Sequence, residues 1–154
     1  MARGASCFVS SSSATLQPSI MRAVGSNVAA DGSEVTVFLS RTQAAQLLQD
    51  IRDTGHLAVV FSEPPTHRTV QLKSSRARMR DAESADLPVL QRYLASMENE
   101  LGQIGIAAPL VGAMLAYRLE DLVALSFVPE QAFDQTPGPK AGSALPAQAP
   151  RLAV

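Results

Sequence analysis

A chain of 154 residues, 46% of them hydrophobic, is long enough for one domain with a real core. Its 13 basic and 14 acidic residues leave a formal net charge of −1, which argues against a nucleic-acid binder that must neutralise phosphates. No apolar run of about 18 residues occurs, so nothing reads as a membrane span; the single cysteine, Cys7, rules out an internal disulfide and fits a reducing, cytoplasmic setting. Met1 to Ala14 has five serines and one arginine, without the Arg-rich amphipathic length of a transit peptide or a secretory apolar region.

The first forty residues read as strands. Ala5 to Ser10 forms one, and Ser19 to Ala29 a second after Pro18. Asp31-Gly32 is a hairpin signal, followed by a β-branched third strand from Glu34 to Leu39. Arg22 shares a face with Ile20 and Val24, and a guanidinium there calls for an anionic partner, a carboxylate or a bound ligand. The period then changes from two to 3.6. Ser40 and Gln43 give a capping-box signature, Ala44, Leu47, Leu48 and Ile51 an apolar helix face, and Gly55 a stop.

His56 to Ser62 is nearly all apolar and is expected to be a deeply buried fourth strand. Glu63-Pro64-Pro65 turns the chain into a fifth, Thr66 to Lys73, read as running on through Arg78. On it His67, Thr69, Gln71 and Lys73 point one way, while Arg68, Val70 and Leu72 point the other. Such a row of graded donors and acceptors suits a flat polar ligand, and equally a solvated strand face. Arg76, Arg78 and Arg80, followed by Asp81, Glu83 and Asp86, read as a solvated hairpin or loop.

Asp86 and Pro88 open a second helix with a stripe of Leu87, Leu90, Leu94, Met97, Leu101 and Ile104, interrupted by Gly102 and Gly105. The stripe fits a helix lying on a barrel or against a partner subunit. Pro109 to Tyr117 reads as a short helix and Asp121 to Val128 as the last strand. Beyond Pro129 the composition shifts to Pro, Ala and Gly. Phe133 to Gly142 is expected to be a turn-rich loop, and Ser143 to Val154 a flexible tail behind a domain of residues 1–142.

The usual catalytic signatures are missing. Neither His56 nor His67 has a recognisable Ser or Cys partner motif, and no G-x-S-x-G, metal-ligand spacing, Walker A or G-x-G-x-x-G occurs. An anion site is better supported. Ser40, Arg41 and Thr42 lie at a helix start, where free N–H groups and the helix dipole favour a phosphate, and Arg22 could converge on the same place. An ordinary capped helix with an exposed Arg41 gives the same signature.

The runs Pro18 to Val24, Val35 to Leu39, His56 to Phe61 and Arg68 to Lys73, in this order and spacing, resemble the pyridoxamine 5′-phosphate oxidase-like, FMN-binding split-barrel family. The Phe133 to Gly142 loop looks like that of a bacterial flavin-binding subgroup. The resemblance covers roughly Cys7 to Gly142. It implies a mainly β fold with flanking helices, a six-stranded antiparallel split barrel, and a homodimer with FMN in grooves between the subunits. It also implies that Arg22, with Ser40, Arg41 and Thr42, holds the FMN phosphate, and that Val24 contacts the cofactor. Arg68, Thr69 and Gln71 would approach the ring, and Gln135 and Thr136 would reach the cofactor from the C-terminal loop.

Where the true oxidases carry an Arg-Lys pair near the start of the long helix, this chain has Gln43, Ala44 and Ala45, so oxidase activity on the vitamin is not expected. The leading expectation is an FMN-dependent oxidoreductase of unassigned substrate, without metal. The alternatives are a non-catalytic module for flavin, haem or deazaflavin on the same barrel, and a cofactor-free dimeric interaction protein.

Overall fold

The computed structural model describes residues 4–146, and these fold into two antiparallel sheets with three α-helices. In chain order the strands are β1 (Ser6–Ser12), β2 (Pro18–Arg22), β3 (Gly25–Val28), β4 (Val35–Ser40), β5 (Leu57–Ser62), β6 (Thr69–Ser74), β7 (Arg78–Asp81), β8 (Leu122–Phe127) and β9 (Gln131–Asp134). The helices are α1 (Ala45–Thr54), α2 (Leu87–Gly102) and α3 (Ala108–Met114). A five-stranded sheet runs β2-β1-β5-β6-β9 and a four-stranded sheet runs β3-β4-β8-β7. The two sheets are not closed into one ring, and the strands number nine among the described residues where six were expected.

The excess comes from strands that change sheet. The expected strand Ser19–Ala29 is two strands, because the Ala23 N–H bonds to the Cys7 carbonyl while the Val24 N–H bonds to the Phe38 carbonyl, both at 2.9 Å. One residue therefore ends the first sheet and the next begins the second. The fifth strand does not run through Arg78 either: β6 stops at Ser74, and β7 resumes from Arg78 in the other sheet, paired with β8. The expected solvated loop at Arg78–Asp81 is thus an edge strand. The stretch after Pro129 crosses back in the same manner. Gln131–Asp134 is β9, paired with β6, so β8 is not the last strand and Phe133 does not lie in a loop.

One core lies between the inner faces of the two sheets and α1. It contains Cys7, Val9, Leu57, Val59, Phe61 and Leu72 from one sheet, Val35, Val37, Leu39, Val123, Leu125 and Phe127 from the other, and Leu47, Leu48 and Ile51 from the helix. Gly55 ends α1 in the left-handed region at φ 73°, its N–H bonded to the Ile51 carbonyl, as its place after the apolar run predicts. A second cluster covers the outer face of the four-stranded sheet, where Leu90 of α2 packs on Val24, Phe38, Leu122 and Ala124. A third joins α2 to α3 through Tyr93, Met97, Leu101, Val111 and Leu115. Leu90, Met97 and Leu101 of the predicted stripe are buried, whereas Ile104 lies past the helix end and is 51% exposed.

The start of α2 is held by charge. Asp86 accepts two bonds from the Arg80 guanidinium, both 2.7 Å, and one from the Glu83 N–H at 2.9 Å. Arg80 comes first among the causes that hold the Asp86 carboxyl below its usual range. Ser143 to Leu145, expected to be flexible, lie against β9: Ala144 bridges Phe133, and the Leu145 N–H bonds to the Ala132 carbonyl at 2.8 Å. The rest of the expected tail, from residue 147 on, lies outside the described residues.

Candidate functional site

The outer face of the five-stranded sheet is not covered by any described element. Register places Arg22 opposite Phe8, Phe8 opposite Val60, Val60 opposite Gln71 and Gln71 opposite Phe133, so one row crosses all five strands. A neighbouring row holds Ile20, Ser10, Ala58, Lys73 and Gln131. Ile20 is 67% exposed, and Phe8, Val60 and Phe133 are half-buried and outside every core cluster.

This corrects the expectation of a deeply buried fourth strand. Leu57, Val59 and Phe61 enter the core, while Ala58 and Val60 lie half-exposed on the open face. A strand apolar on both faces is what a doubly covered strand requires, yet the described chain covers only one side.

Two cations stand on this face, each over an aromatic ring. The Arg22 guanidinium lies 5.3 Å from the Phe8 ring centre, and Lys73 Nζ lies 5.0 Å from that of Phe133. Among the described residues neither joins an ion pair; the four recorded pairs are Arg41–Asp81, Arg78–Glu34, Arg80–Asp86 and Arg118–Glu120. Arg22 therefore has a ring where an anionic partner was expected.

The polar row on β6 is shorter than its sequence suggests. Thr69, Gln71 and Lys73 share the open face, but Thr66, His67 and Arg68 belong to the hairpin before it. His67 sits there at φ 58°, its N–H bonded to the Glu63 carbonyl, so it is a turn residue off the strand. Arg68 is exposed and lies in the field of Asp134, one of the charges that lower that carboxyl behind its leading cause, the Thr136 hydroxyl.

Gln135 and Thr136 do come to this strand. The Gln135 N–H bonds to the Thr69 carbonyl at 2.8 Å, its side-chain amide reaches Gln71 Oε1 at 3.4 Å, and Thr136 Oγ1 accepts the Thr69 N–H at 3.1 Å. Thr69, Gln71, Gln135 and Thr136 thus form one hydrogen-bonded set at the edge of the open face.

The other proposed contacts lie elsewhere. Val24 is buried under α2 with Phe38 and Leu90. Ser40, Arg41 and Thr42 precede α1, and the Ser40 and Thr42 hydroxyls and the Arg41 and Thr42 N–H groups already have partners. Ser40 Oγ donates to Asp121 Oδ2 at 2.6 Å and accepts the Gln43 N–H at 3.2 Å. The predicted capping box does not cap α1, which starts later, at Ala45, with Ala44 as its N-cap and no side-chain cap. The Thr42 N–H and hydroxyl both donate to Asp121 Oδ1, the former at 3.1 Å. The Arg41 N–H bonds to the Asp121 carbonyl at 2.7 Å and the Ala44 N–H to the Ser40 carbonyl at 2.9 Å. Arg41 pairs through its guanidinium with Asp81. The Ser40 hydroxyl, and after it that of Thr42, holds the Asp121 carboxyl below its usual range.

Sequence reasoning missed Phe8, Val60 and Phe133 as site residues, although the unbroken apolar run of β5 was a usable signal. It also missed Asp121, which nothing local marks. Among the described residues no three His, Cys, Asp or Glu side chains form a metal site, and no helix is long and apolar enough to cross a membrane.

No protein-family model and no curated protein matches the chain by sequence. Solved structures do match by shape. An F420 reductase aligns at a TM-score of 0.55 and 12% identity over 85% of this chain and 90% of its own. HupZ of Group A Streptococcus aligns at 0.52 and 14% identity over 90% of each chain. A pyridoxamine 5′-phosphate oxidase-related, FMN-binding protein of Nostoc punctiforme aligns at 0.50 and 13% identity over 88% of this chain and 76% of its own. The chain therefore has the split-barrel fold that its sequence resembles.

Proposed function

We propose that this chain is a flavin-binding protein that works as a homodimer, with the flavin ring on the open face of the five-stranded sheet. The observation that carries the reading is the row Arg22–Phe8–Val60–Gln71–Phe133, apolar at its centre and cationic or amide-bearing beside it. A flat heteroaromatic ring needs apolar contact area together with a few fixed donors and acceptors. Phe8 and Val60 offer the area. Gln71, Thr69 and Gln135 offer the polar groups, and a second copy of the chain would cover the remaining apolar surface, including Ile20.

FMN fits this face in part. The row offers the ring a wall, and among the described residues Arg22 is a guanidinium without a carboxylate partner that can meet a phosphate. The turn before α1 does not fit, because Asp121 already takes its donors. When bound, a flavin supplies hydride or electron transfer itself. The role of this chain is to bind and orient the ring and to shield it between subunits, and an oxidoreductase activity would rest on that. No side chain in the row is a candidate general acid or base.

Quenching of flavin fluorescence on titration with the purified protein tests the reading. Saturable quenching is expected, weakened by Gln71→Leu by about 0.5–1.5 kcal/mol, the range for one hydrogen bond. Light scattering is expected to give a dimer for the wild type and a folded monomer for Val60→Asp. A wild-type monomer that quenches no flavin would refute the proposal.

A further inference from the structure

The turn that sequence assigns to a phosphate already holds an anion, and the anion is part of the chain. We propose that Asp121 is a specificity-determining residue that bars phosphate from the turn before α1, so that a bound flavin is held by its ring and by Arg22 and not by this turn. The ligand rests on the flavin reading above, whereas the exclusion is a property of the turn and can be tested without flavin.

The sheet delivers this carboxylate to its place. The β4–β8 ladder ends with Ser40 opposite Leu122, and the Arg41 N–H to Asp121 carbonyl bond continues it by one step. Asp121 thus stands beside the turn by strand register. Its two oxygens then take the Ser40 hydroxyl and both donors of Thr42. The N–H groups of Arg41, Thr42, Gln43 and Ala44 all have partners within the chain.

A phosphate arriving here would have to displace the carboxylate to gain the Ser40 and Thr42 donors, or else sit against it as a like charge. Asp81, paired with Arg41, places a second carboxylate near the same turn. The hydrogen bonds that lower Asp121 keep it ionised at neutral pH, so the repulsion persists under ordinary conditions.

The test compares the wild type with Asp121→Asn, which keeps an acceptor for Thr42 but removes the charge, and Asp121→Ala, which empties the position. Inorganic phosphate is titrated into each while the backbone amide resonances of Arg41 to Ala44 are followed. Saturable shifts are expected in Asp121→Ala, weaker ones in Asp121→Asn, and none in the wild type. In a parallel fluorescence titration with FMN and with riboflavin, both affinities are expected to be the same in all three proteins, because the turn beside Asp121 belongs to the end of the four-stranded sheet and the proposed ring face to the five-stranded one.

Equal phosphate shifts in the wild type would overturn the proposal, as would unresponsive amides in both folded variants. Failure of every protein to bind either flavin would instead remove the flavin reading, with the phosphate titration still deciding the role of Asp121.

Discussion

The four-stranded sheet has a layer on each side, with the shared core beneath it and Leu90 of α2 on Val24, Phe38 and Ala124 above. Among the described residues the five-stranded sheet has a layer on one side only, although its outer face carries Phe8, Ile20, Val60 and Phe133. Both outer faces are apolar, so composition alone does not decide which one a chain covers for itself. The difference lies in what accompanies the apolar groups. Beneath α2 they are aliphatic and aromatic without charge, whereas the open face adds Arg22, Lys73 and Gln71. Cations stacked on rings and a satisfied amide pair belong where a partly polar ligand or a second subunit completes the burial.

The largest expected contrast is in stability. Leu90→Ala, beneath α2, should cost about 2–5 kcal/mol in urea denaturation, because Leu90 is 1% exposed and its loss leaves a cavity. The corresponding Val60→Ala on the open face should cost the isolated subunit less than about 1 kcal/mol, since half-exposed positions lose little on truncation. Equal losses would mean that the open face is covered after all.

Binding should show the reverse. Arg22→Ala is expected to weaken FMN binding by about 1.5–3 kcal/mol, the scale of a hydrogen bond to a charged group, while Leu90→Ala leaves the affinity of the folded fraction unchanged. Unaltered FMN affinity in folded Arg22→Ala would take Arg22 out of the site.

A smaller effect separates the charged rim of the covered sheet. Asp86→Asn should cost about 1 kcal/mol at neutral pH, reduced by solvent screening because Arg80 is 47% exposed. The Asp86 carboxyl is lowered in the folded state, chiefly by Arg80. Its contribution is therefore complete above the ordinary carboxylate value of about 3.9 and disappears as pH falls through its lower folded value. Melting temperatures followed from neutral to acid pH should show a shallower loss in the Asn variant than in the wild type.

Much of this molecule is legible in its sequence where the signal is local. The alternation of Thr69, Gln71 and Lys73, the Gly55 stop and the Asp86–Pro88 helix start all appear where their residue types require. The change of sheet between Ala23 and Val24 is not legible. Both residues are apolar and no Gly or Pro separates them; the chain bends at Val24, and the one local mark is Gly25 just after it, where a Cβ would meet Leu90 at 2.6 Å. β9 is hidden for a related reason: four residues paired to a strand far away in sequence, Val70 with Asp134 through Lys73 with Gln131, leave no periodic pattern of their own.

The helix start shows the same limit at the site. Ser40 and Thr42 announce donors, but the acceptor that fills them comes from a separate strand end, at Asp121. Local chemistry identified an anion position, and tertiary register supplied the anion.

The central claim, that the open face holds a flavin ring, is tested most directly by fluorescence titration of riboflavin with the wild type and with Gln71→Leu. Riboflavin isolates the ring from any phosphate contact. Saturable quenching by the wild type, weakened in the folded variant, is the expected result. Quenching absent from the wild type, or undiminished in Gln71→Leu, would contradict the assignment of the ring to this face.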